Sequence, residues 1–228
     1  MVAERSDDNL TTHIRISPLL VHVIALFSNS VTAVTMLAPR KKLWSTPSAA
    51  IDASQNLIEL TSSDTLYDVG CGDGRVIIHL ASNTPCRRFV GIEIDEDRAR
   101  EAQAKVDQAK LSGQIPKGVS ITIRRENALE VDYTEATAVF LYLVPRGLRL
   151  IKPYLVRKRG AQNEGRNGSS EGALTCSGIA TDPNAAHPIR VVTYMAGFAD
   201  ERYIKKELCT VDHQEGAAWP IYLYHLRR

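Results

Sequence analysis

Residues 66–75 read L-Y-D-V-G-C-G-D-G-R, and this stretch decides how the chain is organised. Its apolar start runs into Gly70, Gly72 and Gly74, and a second apolar run begins directly afterwards at Val76. This order predicts a strand, a tight loop and a helix. Glycine has no Cβ, so the loop can take positive φ and a ligand can approach its backbone closely, beside the unpaired N–H groups of the following helix. We therefore expect a ligand site here, with a tight turn that holds no ligand as the alternative.

The spacing and charge of the loop separate two classes of ligand. A dinucleotide fingerprint, G-x-G-x-x-G, needs its third glycine one residue later, where this chain has Arg75. The loop also carries Asp68 and Asp73, whose carboxylates would repel a pyrophosphate. Both features disfavour a nicotinamide dinucleotide and suit a ligand with a positively charged amino group.

A second acidic motif follows at residues 90–95, which read V-G-I-E-I-D. Together with the loop it resembles the first two motifs of the class I S-adenosylmethionine-dependent methyltransferases. The resemblance implies that the loop contacts the methionine and ribose portions of the cofactor. It also implies that Glu93 accepts hydrogen bonds from the two ribose hydroxyls, which the two oxygens of a carboxylate suit.

The same resemblance places the adenine against Asn127 and Ala128, which follow the third predicted strand; a solvated turn is the alternative there. We interpret Cys71 as a packing or backbone contact and not as a nucleophile. The full set of expected cofactor-binding residues is Asp68, Gly70, Cys71, Gly72, Gly74, Glu93, Ile94, Asn127 and Ala128.

The remaining patterns predict alternating strands and helices. Strands are expected at 89–94, 119–125, 138–144 and 189–194, with a terminal antiparallel pair within 201–211 and 219–226. Helices are expected after Thr46 as a cap with Pro47 in the first turn, after the glycine loop, over 96–110 behind Asp95, and from Pro145 to near Pro153. The fold class is therefore α/β: a Rossmann-like, mostly parallel seven-stranded sheet with helices on both faces and a C-terminal antiparallel hairpin.

The 228 residues suffice for one catalytic domain at 44–228, preceded by a tail at 1–43. Within the tail, 16–38 is uncharged and apolar in its first half, which predicts either a membrane-associated segment or an amphipathic helix or strand-rich cap packed on the domain. Residues 158–188 are predicted to form a flexible insertion.

Charge and cysteine usage limit the partners. A net charge of +2 gives no basic field that demands nucleic acid, and the four cysteines form no C-x-x-C pair, so no metal site or redox dithiol is expected. We expect an intracellular protein, either cytoplasmic or mitochondrial.

The end of the fourth strand, L-Y-L-V-P at 141–145, departs from the N-P-P-Y or D-P-P-Y of enzymes that methylate bases or glutamine. Methylation of a base or an amide is therefore not expected. Tyr142, Tyr194 and Trp44 could instead form an apolar, aromatic channel that lowers the pKa of a lysine amine and tolerates its cationic product; as core residues they would have no such role. The predicted catalytic residues are Trp44, Tyr142, Leu143 and Pro145.

Several features together look most like the lysine methyltransferases of the ATP synthase c subunit and adenine nucleotide translocase. They are the apolar N-terminal segment, the T-P pair, D-x-G-x-G-D-G-R, G-x-E, V-F-L-x-x-x-P and W-x-x-Y. This resemblance implies lysine N-methylation of a protein in a mitochondrial membrane context. Two alternatives stay open: a small-molecule methyltransferase, and a methyltransferase-like subunit that binds cofactor without turnover.

Overall fold

The computed structural model describes residues 45–156, 188–210 and 217–228. The predictions for the tail, including Trp44 and the apolar segment 16–38, lie outside the described residues, as does the predicted insertion apart from its final residue. In the part of the chain that is described, no helix is long and apolar enough to cross a membrane.

Helices and strands alternate from the first described helix onward. The helices are α1 (Ser48–Ile58), α2 (Arg75–Asn83), α3 (Glu96–Leu111) and α4 (Pro145–Leu155). The strands are β1 (Thr65–Val69), β2 (Arg88–Glu93), β3 (Ser120–Arg125), β4 (Ala138–Leu141), β5 (Ile189–Tyr194), β6 (Lys205–Thr210) and β7 (Ala218–Leu226).

All seven strands belong to one sheet, in the order β3-β2-β1-β4-β5-β7-β6. The first five are parallel, and β7 runs antiparallel to both β5 and β6. This arrangement confirms the predicted Rossmann-like fold with its C-terminal antiparallel pair. The carboxyl ends of β1, β2 and β4 lie side by side, so the loops that follow them meet at one edge of the sheet, the carboxyl edge.

The core lies on both faces of the sheet. One face packs against α1, α2 and α3 through residues such as Leu57, Ile77 and Val106, and we call it the α1 face. The other packs against α4 and the segment before β4 through Leu148, Ile151 and others. Alternation along β1 places the Asp68 side chain on the α1 face, because Tyr67 and Val69 belong to the opposite cluster. Strand β1 is buried along its whole length, as a central parallel strand requires.

Two predicted boundaries are wrong. Thr46 is buried and does not cap α1; Pro47 is the N-cap, and its carbonyl oxygen accepts from the N–H groups of Ala50 and Ile51 at 3.0 and 3.1 Å. Strand β4 ends at Leu141 because its partner β1 turns away after Val69 into the glycine loop.

The end of α4 lies near Pro153, as predicted. The helix ends at Leu155, with the proline inside its last turn. The buried side chains of Ile151 and Leu155 hold this turn against the sheet, which offsets the hydrogen bond that a proline cannot donate.

Candidate functional site

The glycine loop between β1 and α2 is shaped by three residues in left-handed backbone conformation. Gly70, Gly72 and Gly74 have φ values of 81°, 55° and 78°, which side chains with a Cβ rarely adopt. The N–H groups of Gly70 and Cys71 both donate to the carbonyl oxygen of Ile92, at 2.8 and 3.0 Å. A Cβ on Gly72 would meet no atom within 4 Å, so the backbone is open to a ligand at this point.

Asp68 lies at the carboxyl end of β1 and is buried, with 2% of its surface exposed. Its Oδ2 atom has no hydrogen-bond partner among the described residues. Burial, together with the nearby negative charges of Glu93 and Asp73, raises the pKa of Asp68 to about 8. A buried carboxyl oxygen without a partner is costly, and a ligand ammonium at this position would satisfy it.

Asp73, by contrast, is satisfied within the protein. Its carboxylate pairs with Arg75 and with Lys105 of α3, each at 2.8 Å. Burial acts to raise the pKa of Asp73, but the bonds from the two cations outweigh it and hold this pKa well below its usual range. The sequence suggested that both aspartates attract a ligand amine; of the two, only Asp68 has a side-chain oxygen without a partner among the described residues.

Glu93 ends β2 and is held by three backbone donors. Its Oε2 accepts from the N–H of Gly72 at 2.9 Å, and its Oε1 accepts from the N–H groups of Ile94 and Asp95 at 2.9 and 3.0 Å. These bonds tie the end of β2 to the glycine loop. A carboxylate has about four acceptor positions, so a vicinal diol at Glu93 would use the remaining position and share an occupied one.

Cys71 lies under the loop, on the α1 face. Its thiol is buried, and burial raises the pKa of Cys71 far above its ordinary value, so it is not a thiolate. The sulfur packs over Gly91 in β2, where an added Cβ would lie 2.9 Å from Cys71 Sγ and 2.8 Å from Ile77 Cδ1. The side chain of Cys71 therefore supports the loop from below, while only its backbone could face a ligand.

The residues expected near the adenine lie at the ends of β2 and β3. Ile94 is 39% exposed, which leaves an apolar side chain beside Glu93 for a flat ring to cover. Asn127 accepts from the N–H of Leu129 at 3.1 Å and donates from Nδ2 to Glu130 at 3.0 Å, so its amide forms a local turn. Ala128 is buried, and its carbonyl oxygen accepts from the hydroxyl of Tyr133 at 2.8 Å.

The ends of β4 and β5 bring two of the predicted aromatic residues together. The rings of Tyr142 and Tyr194 lie 4.8 Å apart between centroids, on the α1 face. Leu143 is buried on the opposite face, with its Cδ2 4.0 Å from the position of a Cβ on Gly70. Pro145 is exposed at the first position of α4, where its missing N–H leaves no helical bond unmade.

Met195 is a residue of this edge that the sequence analysis missed. It directly follows β5, it has a φ of 67°, and its Sδ atom accepts a hydrogen bond from the hydroxyl of Tyr142 at 3.0 Å. No sequence motif identifies Met195, because its bond to Tyr142 joins residues 53 positions apart and a positive φ at methionine has no sequence signal. The sequence indicated only that Met195 directly follows a buried strand.

The features at the carboxyl edge fit S-adenosylmethionine. The unpartnered Oδ2 of Asp68 suits the ammonium group, Glu93 suits the ribose, the open backbone at Gly72 admits close approach, and the exposed Ile94 suits the adenine. The bound cofactor would supply a methyl group activated by its sulfonium. The neighbouring edge at Tyr142 and Met195 would then receive the methyl acceptor.

Comparisons with known proteins agree with this geometry. Residues 68–163 match the family model of the ANTKMT methyltransferase domain. A protein-lysine N-methyltransferase of Saccharolobus islandicus (strain REY15A) is 33% identical over 113 residues, which make up 50% of this chain and 66% of that protein. The chain thus spans about two thirds of the length of this relative.

Two solved structures share the fold. An RNA methyltransferase from Salinibacter ruber, in complex with S-adenosyl-L-homocysteine, superposes with a TM-score of 0.57 at 24% identity and covers 81% of this chain and 95% of its own. A putative tRNA (m1A22) methyltransferase from Streptococcus pneumoniae superposes with a TM-score of 0.52 at 12% identity, over 80% and 72% of the two chains. Residues 68–163 are therefore similar to the ANTKMT methyltransferase domain, and the chain carries a class I S-adenosylmethionine-dependent methyltransferase domain.

Proposed function

We propose that the protein transfers the methyl group of S-adenosylmethionine to the side-chain amine of a lysine in a protein substrate. The observation that carries this proposal is the 33% identity to a protein-lysine N-methyltransferase. Of the 96 residues matched by the family model, those from Asp68 to Tyr142 include the whole cofactor loop and the edge beside it.

The acceptor edge supports an amine as the nucleophile. Tyr142 and Met195 present aromatic and thioether groups there, and Tyr194 is a core residue that packs against the ring of Tyr142. The chain also lacks the N-P-P-Y motif that holds a planar nitrogen. Such weakly polar surroundings lower the pKa of a lysine amine, because they disfavour its charged form. The neutral amine can then attack the methyl carbon directly, provided that the loop and the edge hold the two groups in line.

A labelling experiment tests the proposal. Purified protein is incubated with S-adenosylmethionine carrying a radioactive methyl group and with a cell extract, and the label is separated into protein and small-molecule fractions. We expect label in protein, located on lysine by mass spectrometry. Asp68→Ala, which removes the carboxyl expected to bind the cofactor, is the control and should give no label.

The other outcomes distinguish the alternatives. Label confined to small molecules would contradict a protein substrate. Cofactor binding without label in any fraction would indicate a subunit that lacks turnover. We also propose that the protein acts in the cytoplasm or the mitochondrion; detection of the protein in fractions of intact cells tests this, and its presence in a membrane fraction would show membrane association.

A further inference from the structure

Met195 holds an unusual backbone conformation at the acceptor edge. Its φ of 67° lies in the left-handed region, which methionine rarely occupies. Its N–H donates to the carbonyl oxygen of Pro220 in β7 at 2.8 Å, which holds the start of the following segment on the sheet. Observed strain of this kind is concentrated at functional sites.

The segment from Met195 to Ile204 is fixed at several further points. The N–H of Phe198 donates to the Tyr224 hydroxyl at 3.1 Å, and the N–H of Ile204 donates to the carbonyl of Leu223 at 2.7 Å. Lys152 of α4 joins the segment through Asp200 and Glu201, each at 2.7 Å. The segment that follows Met195 is therefore held by β7 and α4 together.

The sulfur of Met195 determines what the hydroxyl of Tyr142 can do. A phenol has one O–H donor, and here the sulfur accepts it at 3.0 Å. The oxygen of Tyr142 then has only acceptor positions left. The ring itself is held in place because it packs against Tyr194, with 4.8 Å between the ring centroids.

Tyr142 lies next to the cofactor loop. Leu141, the residue before it, pairs with Val69, the residue before Gly70, so Tyr142 and Gly70 leave adjacent strands at the same level. Tyr142 is half-buried, so part of the residue is accessible to solvent. Its position in the strand register places it beside the cofactor loop, where an acceptor would approach the methyl group.

We propose that Met195 is a positioning residue that keeps the Tyr142 oxygen as a hydrogen-bond acceptor for an N–H of the substrate lysine amine. This inference rests on the proposed function. When Tyr142 accepts an N–H, the lone pair of the neutral amine stays free and can point at the methyl carbon. A hydroxyl that could donate would instead bind that lone pair and block the attack.

The chemistry of the step is balanced without a further reactant. The amine lone pair forms the new N–C bond while the C–S bond breaks, and its electron pair stays on sulfur as the thioether of S-adenosylhomocysteine. The product is a methylammonium, which loses its proton to solvent before another transfer. A neutral lysine has two N–H bonds, its monomethyl form one and its dimethyl form none, so the contact to Tyr142 exists only for the first two transfers.

The hydrogen bond itself is tested on the protein without cofactor. The variants are Met195→Leu, which keeps the side-chain volume and removes the acceptor, Tyr142→Phe, and the double variant. Denaturant unfolding should show coupling, meaning that the double variant loses less stability than the sum of the two single variants. Additive losses would show that the bond is absent and would overturn the inference.

The role in catalysis is tested with poly-L-lysine as the methyl acceptor and S-adenosylmethionine as the donor. We expect Met195→Leu to lower kcat about tenfold without changing KM for the polymer or the affinity for S-adenosylhomocysteine measured by calorimetry. The loss should vanish when Tyr142 is already phenylalanine. Met195→Gln, whose amide oxygen can again accept the phenol proton, should recover most of kcat.

The product pattern gives an independent readout. Mass spectrometry should show that Tyr142→Phe slows formation of monomethyl- and dimethyl-lysine but leaves any conversion of dimethyl- to trimethyl-lysine at the wild-type rate, because dimethyl-lysine has no N–H for the oxygen to accept. Met195→Leu should slow all the transfers, because the freed hydroxyl can donate to the lone pair of each acceptor amine. Tyr203→Phe is the matched control, since it removes an exposed hydroxyl from the same segment and should not change kcat.

The failure of this inference differs from the failure of the proposed function. A wild-type protein that labels neither the polymer nor a protein in the extract would overturn both. A wild-type protein that labels lysine while Met195→Leu keeps full kcat, or loses it equally in the Tyr142→Phe background, would overturn the role of Met195 alone.

Discussion

Asp68 is the residue on which the cofactor site depends most directly. It is buried, and one of its oxygens has no partner among the described residues. Burial, followed by the nearby negative charges of two other carboxylates, raises the pKa of Asp68 to about 8. A buried carboxyl oxygen without a partner lowers the stability of the folded protein. A role in ligand binding explains why the chain has one here, since a cationic ligand group would supply the missing hydrogen bond.

The pKa of Asp68 predicts how stability changes with pH. The raised folded value, near 8, compared with an ordinary 3.8, means that the folded protein holds a proton that the unfolded chain has lost. This contribution to stability is complete below the unfolded pKa and is lost as pH rises through the folded one. We expect the free energy of unfolding, measured in urea without cofactor, to fall between pH 5 and pH 8 more steeply in the wild type than in Asp68→Asn. Parallel profiles for the two proteins would contradict the raised pKa.

The same residue predicts proton release on cofactor binding. A ligand ammonium favours the ionised carboxylate, so binding should expel the proton from Asp68 and affinity should rise with pH, by up to about tenfold per unit, as pH approaches 8. Calorimetry with S-adenosylhomocysteine in two buffers of different ionisation enthalpy measures the protons released. Asp68→Asn corrects for protons that come from the ligand and should bind more weakly. Equal release from both proteins would show that Asp68 stays protonated in the complex.

At the scale of single elements, the sequence predicted what local patterns encode. The glycine loop with its helix and the cap of α3 follow from neighbouring residues, and Asp95 does accept from the N–H of Arg98 at 3.1 Å. The end of β4 and the start of α1 depend on contacts with other elements, so their boundaries were wrong. Met195 and Tyr142 are an extreme case, since their bond joins segments on either side of the predicted insertion.

The packing of β2 under the glycine loop predicts the effect of a single methyl group. In Gly91→Ala the new Cβ would lie within 3 Å of Ile123 Cδ1, Ile77 Cδ1 and Cys71 Sγ. We expect a loss of about 1–3 kcal/mol in the free energy of unfolding from overpacking, measured in denaturant. Because the displaced sulfur belongs to the loop, the affinity for S-adenosylhomocysteine should fall as well.

A second variant separates these two effects. Ile77→Val removes one of the atoms that the new methyl group meets, so Gly91→Ala/Ile77→Val should regain part of the stability. The contact with Cys71 remains in this variant, so cofactor affinity should stay low. Normal affinity in Gly91→Ala would show that the loop does not depend on the packing beneath it.

At the scale of the whole molecule, the two edges of the sheet have different roles. At the carboxyl edge, Asp68 Oδ2 has no hydrogen-bond partner among the described residues, and Met195 has a positive φ. At the opposite edge, where the parallel strands begin and which we call the amino edge, arginine side chains bind backbone carbonyl oxygens. There Arg190 pairs with Asp64 and donates to the carbonyls of Ile58 and Glu59, both at 2.8 Å. Hydrogen bonds from Arg190 and Thr137 overcome the effect of burial and lower the pKa of Asp64 to about 2. We interpret the amino edge as the stabilising end of the fold.

Arg228 allows this division to be tested. Its guanidinium donates to four backbone carbonyl oxygens, those of Tyr133, Thr134, Ala136 and Leu155, at 2.6 to 3.2 Å, and so joins the region after β7 to the entry of β4 and the end of α4. Arg228→Met keeps the apolar stem but leaves these carbonyls without their donor, so we expect the free energy of unfolding to fall by about 1.5–3 kcal/mol. Arg228→Lys keeps the positive charge but not the planar guanidinium. Its free energy of unfolding should therefore lie between those of the wild type and Arg228→Met. These contacts are at the opposite end of the strands from Asp68 and Glu93, so the affinity of the folded variants for S-adenosylhomocysteine should equal that of the wild type. Weaker binding by Arg228→Met would show that the two edges are coupled.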